Sequence, residues 1–261
     1  MLKEKLLKEL NMDKMKCSFY IKNLKDGDVY KYNENEKVPS ASTIKIPVMA
    51  EILRQTKIGK LNLKQRIKVP HSIKVPFSIL TLMDDEDTFS LKDIITLMII
   101  QSDNTASNLL IDLAGMDNVN KFIKSCGLKN TILQRKMMDS AARQKGLENY
   151  TTASDMAVLL EMLYRGELVD EGSSKIMVEI MKNQLDRTMM MLNIPDETVI
   201  AHKTGELECL NHDVGIVYHD GFDYIFSMLV WDAESNNLAR NEIGRASLIV
   251  YKYFLNKREE L

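Results

Sequence analysis

Three short polar runs carry groups whose types and spacing suit acyl-transfer chemistry. In Ser42-Thr43-Ile44-Lys45, an i, i+3 spacing on a helix places a hydroxyl and an amine one turn apart on the same face. A serine hydroxyl is a weak nucleophile until a base takes its proton. A lysine amine serves as that base only where burial or a neighbouring cation lowers its pKa. A helix N-terminus adds free N–H groups and the positive end of the macrodipole, which stabilise an oxyanion formed when Ser42 attacks a carbonyl. Ser102-Asp103-Asn104 opens a second helical run with a hydroxyl and an amide. Lys203-Thr204-Gly205 ends a strand-like run with a cation and a hydroxyl suited to a carboxylate, and a glycine that permits close backbone approach. Each run also has an ordinary structural reading: Ser42 as a helix cap with Lys45 on the surface, Ser102-Asp103-Asn104 as an N-cap, and Lys203-Thr204-Gly205 as a turn.

The elements that must position these groups follow from periodicity. Leu2, Leu6, Leu7 and Leu10 share one helical face, so the chain opens on an amphipathic helix. Residues 17–24 read as a strand, Asp26-Gly27 as a hairpin turn and residues 29–32 as the returning strand. Helical periodicity marks 42–57 with Gly59 as its stop, then 90–101, 104–114 and 117–125. Residues 131–149 are charged and weakly periodic, which predicts a long surface loop of the kind that carries function. Helices resume after Thr151-Thr152 up to Gly166 and again over 173–185. Residues 199–203, 213–218 and 223–231 read as strands, the last two joined at Asp220-Gly221, and 236–256 as a closing helix. The expected fold is therefore α+β: one antiparallel sheet built from both chain ends, flanked by the terminal helices, plus a central all-helical lobe. The α/β lobe takes approximately 1–58 and 196–261 and the helical lobe approximately 59–195, within a single domain and with a cleft between lobes.

Composition excludes several function classes. The 261 residues are 45% hydrophobic and 28% charged, enough to build a core without disulfides or structural metals. Thirty-five Lys and Arg against 37 Asp and Glu leave a net charge of −2, no field that would select nucleic acid or an anionic membrane. The most apolar run, Ile94 to Ile100, is far short of the roughly 20 residues that span a bilayer, so no membrane insertion is expected. Cys17, Cys126 and Cys209 are widely separated, and His71 and His219 have no partner at ligand spacing, so no metal and no cofactor is implied. His202 adjoins Lys203 but alternation turns it away from the strand face that Lys203 uses, which predicts a structural histidine, and His212-Asp213 is read as a strand start. The seventeen methionines suit an adaptable core. The first ten residues mix charges among leucines and lack an export signal, which predicts a cytoplasmic protein, or an exported one if the sequence is a trimmed piece.

Taken together, SASTIKIP, SDNTASNLL and HKTG resemble the class A β-lactamases and penicillin-binding serine hydrolases, in order and in spacing: Ser102 follows Ser42 by 60 residues, and Lys203 follows Ser102 by 101. The flank His212-Asp213-Val214-Gly215-Ile216 resembles that family too. The resemblance implies that Ser42 is the acylated nucleophile, Lys45 its proton acceptor or relay, and Ser102 the group that protonates the leaving nitrogen. It implies that Asn104 holds the Lys45 side and the substrate amide, and that Lys203 and Thr204 grip the substrate carboxylate. The backbone N–H groups of Ser42 and Glu206 would form the oxyanion hole, with the Glu206 side chain left to tune substrate choice.

The pattern departs from the family in one place. Aligning Arg135 and Asn149-Tyr150-Thr151-Thr152 with the family's loop puts Met137 where a water-activating glutamate belongs and Ala141 near its asparagine. Methionine cannot accept a proton. Asp139 and Glu148 lie in the same loop and are the candidate replacement bases. The expected function is an active-site serine hydrolase acylated at Ser42 by β-lactams, with deacylation handicapped. The alternatives are a D,D-peptidase or esterase, or a penicillin-binding sensor acylated without turnover. The expected partner is a small β-lactam or D-amino-acid peptide or ester, met by a monomer.

Overall fold

A computed structural model describes residues 1–219 and 221–259. The chain begins with α1 (Leu2–Glu9), whose four-residue leucine spacing buries Leu2 and Leu6 completely. Each buried leucine contributes roughly 1.5–3 kcal/mol of burial free energy. Strands β1 (Lys16–Asn23) and β2 (Val29–Tyr32) follow as a hairpin, with Gly27 at φ +82 in its turn. After the short β3 (Val38–Pro39) the chain forms a 3-10 turn over Ala41–Ile44 and continues directly into α2 (Lys45–Lys57). A small hairpin of β4 (Arg66–Lys68) and β5 (Thr88–Ser90) leads to α3 (Leu91–Ile100), capped by a Ser90–Asp93 capping box. Then come α4 (Asn104–Ala114), α5 (Met116–Ser125), the five-residue α6 (Ser140–Gln144), β6 (Tyr150–Thr151), α7 (Ala153–Tyr164) and α8 (Glu171–Met181). The chain closes with β7 (Val199–Leu207), β8 (Leu210–Tyr218), β9 (Tyr224–Trp231) and α9 (Asn236–Glu259).

The fold is α+β, with a five-stranded antiparallel sheet in the order β2-β1-β9-β8-β7. Both chain ends contribute, because β1 from the N-terminal hairpin pairs with β9 along its whole length. Strand alternation gives the sheet two apolar faces. Phe19, Ile21, Phe226 and Met228 face α1 and α9, whereas Val214, Ile216, Ile225 and Leu229 join the core built by α2, α3, α4, α7 and α8. Methionines occur in both cores, Met49, Met98 and Met156 in one and Met189, Met190 and Met228 in the other. No helix among the described residues is long and apolar enough to cross a membrane.

Several sequence expectations change. The run expected over 199–203 continues to Leu207, and the next strand starts at Leu210, so Glu208 and Cys209 form a two-residue hairpin turn. The pattern hid this because Thr204, Gly205, Asn211 and His212 are polar or small yet buried, breaking the apolar alternation. Lys203-Thr204-Gly205 therefore lies inside a strand and not at its end. The helix expected over 173–185 starts earlier, at Glu171, and ends at Met181, since the Asp170 side chain caps it by accepting from Ser173 N–H. Residues 131–149 are not a solvated loop: Thr131, Leu133, Arg135, Met137, Glu148 and Asn149 are buried. Their polar groups are paired internally, which charge and weak periodicity cannot reveal. Asp220 of the expected Asp220-Gly221 turn lies outside the described residues; Gly221 has φ +89.

Candidate functional site

Ser42 sits in the 3-10 turn ahead of α2, and the chain reaches it through Ala41 in the left-handed region at φ +45. Lys45, the first residue of α2, is fully buried and projects to the junction of α3 and α4. There its Nζ lies 2.6 Å from the Ser102 carbonyl, 3.1 Å from Ser102 Oγ and 3.0 Å from Asn104 Oδ1. Ser102 holds both acceptors toward the amine because its backbone is left-handed, φ +55.

The neighbouring Asp103 is the N-cap of α4, accepting from Ala106 N–H at 2.8 Å. Its carboxylate also accepts from Ser78 Oγ–H at 2.7 Å and Leu80 N–H at 3.0 Å. It thereby ties down the loop that carries Phe77. One residue of the triplet caps the helix, and its two neighbours turn to Lys45.

Lys203 enters from β7, also fully buried, and donates to Ser102 Oγ at 3.1 Å and to the Thr204 carbonyl at 2.8 Å. Ser102 Oγ thus stands between two amines. A hydroxyl can both donate and accept, so Ser102 Oγ is placed to pass a proton between groups on either side of it. Burial drives the Lys45 pKa well below the ordinary lysine value, and the Lys203 cation beside it adds to the effect against the opposing pull of Asp103. Burial also lowers Lys203, to about 8, against the attraction of Asp186 and Asp213. A buried amine that gives up its proton more readily than an ordinary lysine exposes a lone pair that can take a proton from a hydroxyl, so the environment of Lys45 suits it to act as a base.

Gly205 leaves little room for a side chain beside Ser42. A Cβ there would meet Ala41 Cβ and Ser42 N at 3.1 Å and the Ser40 carbonyl at 3.3 Å. β7 is the last strand of the sheet, so its outer edge runs against the Ser42 turn with no further strand paired to it. Together these elements line a cavity of about 760 Å³ that includes Ser42, Ser102, Asn104, Thr204, Gly205 and Glu206. Of the eight non-glycine residues with positive φ among the described residues, Ala41, Phe77, Ser102 and Met138 line this cavity. Such conformations cost of order 1–3 kcal/mol each and concentrate where groups are held for chemistry.

The 131–149 segment forms another wall. Asn108 of α4 brackets Met137, donating from Nδ2 to its carbonyl at 3.0 Å and accepting its N–H at Oδ1 at 2.7 Å. Met137, Met138, Asp139 and Glu148 all line the cavity. Asp139 is the N-cap of α6, its Oδ1 accepting from Ala142 N–H at 2.9 Å. Glu148 is held bidentately by Arg135 Nε and Nη2 at 2.8 and 3.0 Å, and accepts Asn149 N–H at 2.8 Å. Arg143 Nε lies 3.6 Å from Glu148 Oε2.

His202 is buried behind the site, its Nδ1 2.9 Å from Asp213 Oδ1, while Asp213 Oδ2 accepts Met190 N–H at 2.9 Å. His212 is in β8, its ring held near neutral pH in the uncharged form because burial lowers its pKa to about 4.

Sequence reasoning missed Phe77, Asp186 and Arg240. Phe77 is 80% exposed at the cavity mouth. Its signal was an aromatic beside Pro76 in a chain with five prolines. Asp186 lines the cavity near Thr204 and Lys203, and Arg240 reaches Glu206 from α9. Nothing local marks either residue, since their roles depend on distant elements.

A family model described as the beta-lactamase enzyme family matches residues 1–254. The chain is similar to beta-lactamase VEB-1 of Pseudomonas aeruginosa, 24% identical over 90% of this chain and 84% of that one. It is 26% identical to beta-lactamase CARB-4 of the same organism over 69% of this chain, a match that spans only 63% of that relative. Among solved structures, PBP-A superposes with a TM-score of 0.89 and 25% identity over 98% of this chain and 96% of that one. A mutant of PBP-A, solved as an acyl-enzyme complex with penicillin-G, matches equally well.

Proposed function

This chain belongs to the beta-lactamase enzyme family, and from that premise we propose that it is a serine acyl hydrolase acylated at Ser42 by β-lactams and slow to release the acyl group. The observation that carries the reading is the buried cluster in which Lys45 and Lys203 both bond Ser102 Oγ beside the cavity that holds Ser42. Ser42 Oγ attacks the lactam carbonyl as its proton passes to the Lys45 amine, whose proton affinity burial lowers. The Ser42 and Glu206 N–H groups take up the oxyanion. As the carbon–nitrogen bond breaks, Ser102 gives its proton to the leaving nitrogen and is reprotonated from Lys45. Asn104 orients Lys45 and the substrate amide, and Lys203 with Thr204 holds the carboxylate. Gly205 keeps the strand edge close to Ser42. All of these groups come from one chain, which works as a monomer.

Release requires a water activated beside the ester, and Met137 offers no base there. Of the two acids in the loop, Glu148 is committed to Arg135, whereas Asp139 has only its Oδ1 engaged. Asp139 is therefore the better replacement base. Losing a positioned general base typically slows the step it serves by about 10²- to 10⁴-fold. The Met137 wall also favours a second reading, a D,D-peptidase or esterase that uses the same serine and is inhibited by penicillins. Likeness to PBP-A, which has an acyl-enzyme complex with penicillin-G among its structures, supports that reading.

The test is intact mass spectrometry of the protein with excess benzylpenicillin over time, beside Ser42→Ala, with the adduct mapped by digestion. A Ser42 adduct that clears in seconds while penicilloate accumulates means a lactamase with a replacement base. A lasting adduct means acylation without turnover, and D-Ala-D-Ala peptides and simple esters become the substrates to assay. No adduct with any penicillin, cephalosporin or activated ester removes the enzymatic reading.

A further inference from the structure

Glu206 follows Lys203-Thr204-Gly205 on the strand edge that faces Ser42. Alternation puts Lys203 and Gly205 on one face of β7 and Thr204 and Glu206 on the other. The geometry agrees, since Lys203 reaches Ser102 and a Cβ on Gly205 would strike Ala41. Two residues along a strand are about 7 Å apart, so the Thr204 and Glu206 side chains leave the same face of β7 about 7 Å from each other. Glu206 lines the cavity, and its Oε2 accepts from Arg240 Nη2 and from Asn211 Nδ2 at 3.1 Å. Asn211 is its direct cross-strand partner, whereas Arg240 reaches over from α9. Asp186 and Glu208 line the cavity as well. The Thr204 end of the site therefore has three carboxylates, from Asp186, Glu206 and Glu208, beside the cations Lys203 and Arg240.

Resting on the reading of Ser42 as an acylated nucleophile, we propose that Glu206 and Arg240 are a specificity-determining pair that sets how the site ranks acyl donors with a free carboxylate against uncharged ones. Glu206 opposes an anion placed at Thr204. Arg240, paired to Glu206 Oε2, offsets that charge. Neither side chain needs to touch the reacting atoms, because the effect is carried by charge. A unit charge about 7 Å away, at an effective dielectric between that of a protein surface and that of water, changes affinity by roughly 3- to 50-fold. The pair makes two opposite predictions. Removing the Glu206 charge shifts preference toward the anionic donor, and removing Arg240 shifts it away.

The experiment compares benzylpenicillin with its methyl ester, the same lactam without the carboxylate charge. Second-order acylation constants are read by intact mass for the unsubstituted protein, Glu206→Gln and Arg240→Gln at low and high salt. The quantity of interest is the acid-to-ester ratio. It rises by roughly 10-fold in Glu206→Gln, falls by a similar factor in Arg240→Gln, and both changes shrink at high salt. A merely structural role would move both substrates together and leave the ratio in place. Melting temperatures taken alongside identify any variant that loses its fold, and the other variant then decides, since each has its own predicted sign. A Ser42 adduct whose ratio stays within twofold in both variants, or moves in the same direction in both, overturns the pairing and leaves the acyl-enzyme reading standing. No adduct from either lactam in the unsubstituted protein overturns both.

Discussion

The loop that walls the cavity is closed by one buried ion pair, and Glu148→Gln tests whether that pair is a clamp or a source of catalysis. Arg135 and Glu148 are each only about a tenth exposed, and they join in a bidentate pair across the 13 residues that separate them. Met137, Met138, Asp139 and Arg143 all lie within that span and line the cavity. Removing one partner of a buried pair typically costs about 3–5 kcal/mol, because the other charge is left uncompensated. Gln keeps one acceptor oxygen, and Glu148 sits at the boundary of the buried region, so the lower end, about 3 kcal/mol, is expected. Unfolding entropy of about 2.1 cal/mol/K per residue gives a chain this long roughly 0.55 kcal/mol per degree, hence a fall of about 5 °C in Tm. Thermal unfolding by circular dichroism reads this directly. A double variant, Arg135→Met with Glu148→Gln, removes the orphaned charge and recovers more than half of the loss. A Tm within 1 °C of the parent protein would refute the clamp. A lengthened acyl-enzyme lifetime at unchanged Tm would make Glu148 the base instead.

Three further outcomes are expected. Met137→Glu introduces a carboxylate where the wall has none, while Asn108 keeps hold of the backbone, and it shortens the penicilloyl adduct's lifetime by about 10²- to 10⁴-fold; an unchanged lifetime by mass spectrometry would place the missing base elsewhere. Lys203 has a pKa of about 8, so its charge is present below that pH and lost above it. Acylation by benzylpenicillin therefore falls as pH rises through about 8, and the methyl ester shows no such limb; matching profiles for the two lactams would rule out Lys203 as the carboxylate partner. Gly215 lies directly opposite His202, and a Cβ there would come 2.5 Å from His202 Cβ and 2.7 Å from the Ala201 carbonyl. Gly215→Ala must push β7 from β8 at a cost of about 1–3 kcal/mol, and a parental Tm for that variant would contradict the close pairing.

Much of the fold was legible because its elements follow local rules. Leucines four apart made α1, Ser90 and Asp93 formed a capping box, and Gly59 stopped the helix after Lys57. The β7–β8 hairpin was underestimated because its polar residues are buried among one another, and a pattern of polar and apolar letters cannot show that a polar side chain has a partner. The same blindness turned residues 131–149 into a surface loop. Arg135, Glu148 and Asn149 fall in a charged, weakly periodic run that reads as solvated until their mutual bonds are visible. Phe77 reaches the cavity from a loop more than 120 residues before Lys203, and Arg240 reaches Glu206 from α9, and no local spacing encodes such a meeting.

The sequence by itself determined the types of the longer elements, the antiparallel sheet shared by both chain ends, and the order of three polar runs that resemble one family. Those properties depend on residues within a helical turn, a strand repeat or a short motif. Only the tertiary structure decided that two lysines converge on one serine hydroxyl, that both are removed from water, and that the loop beside them is bolted shut by an ion pair. Proton affinity depends on the distance and dielectric between groups far apart in the chain, quantities that come into being only when α2, α4 and β7 pack together.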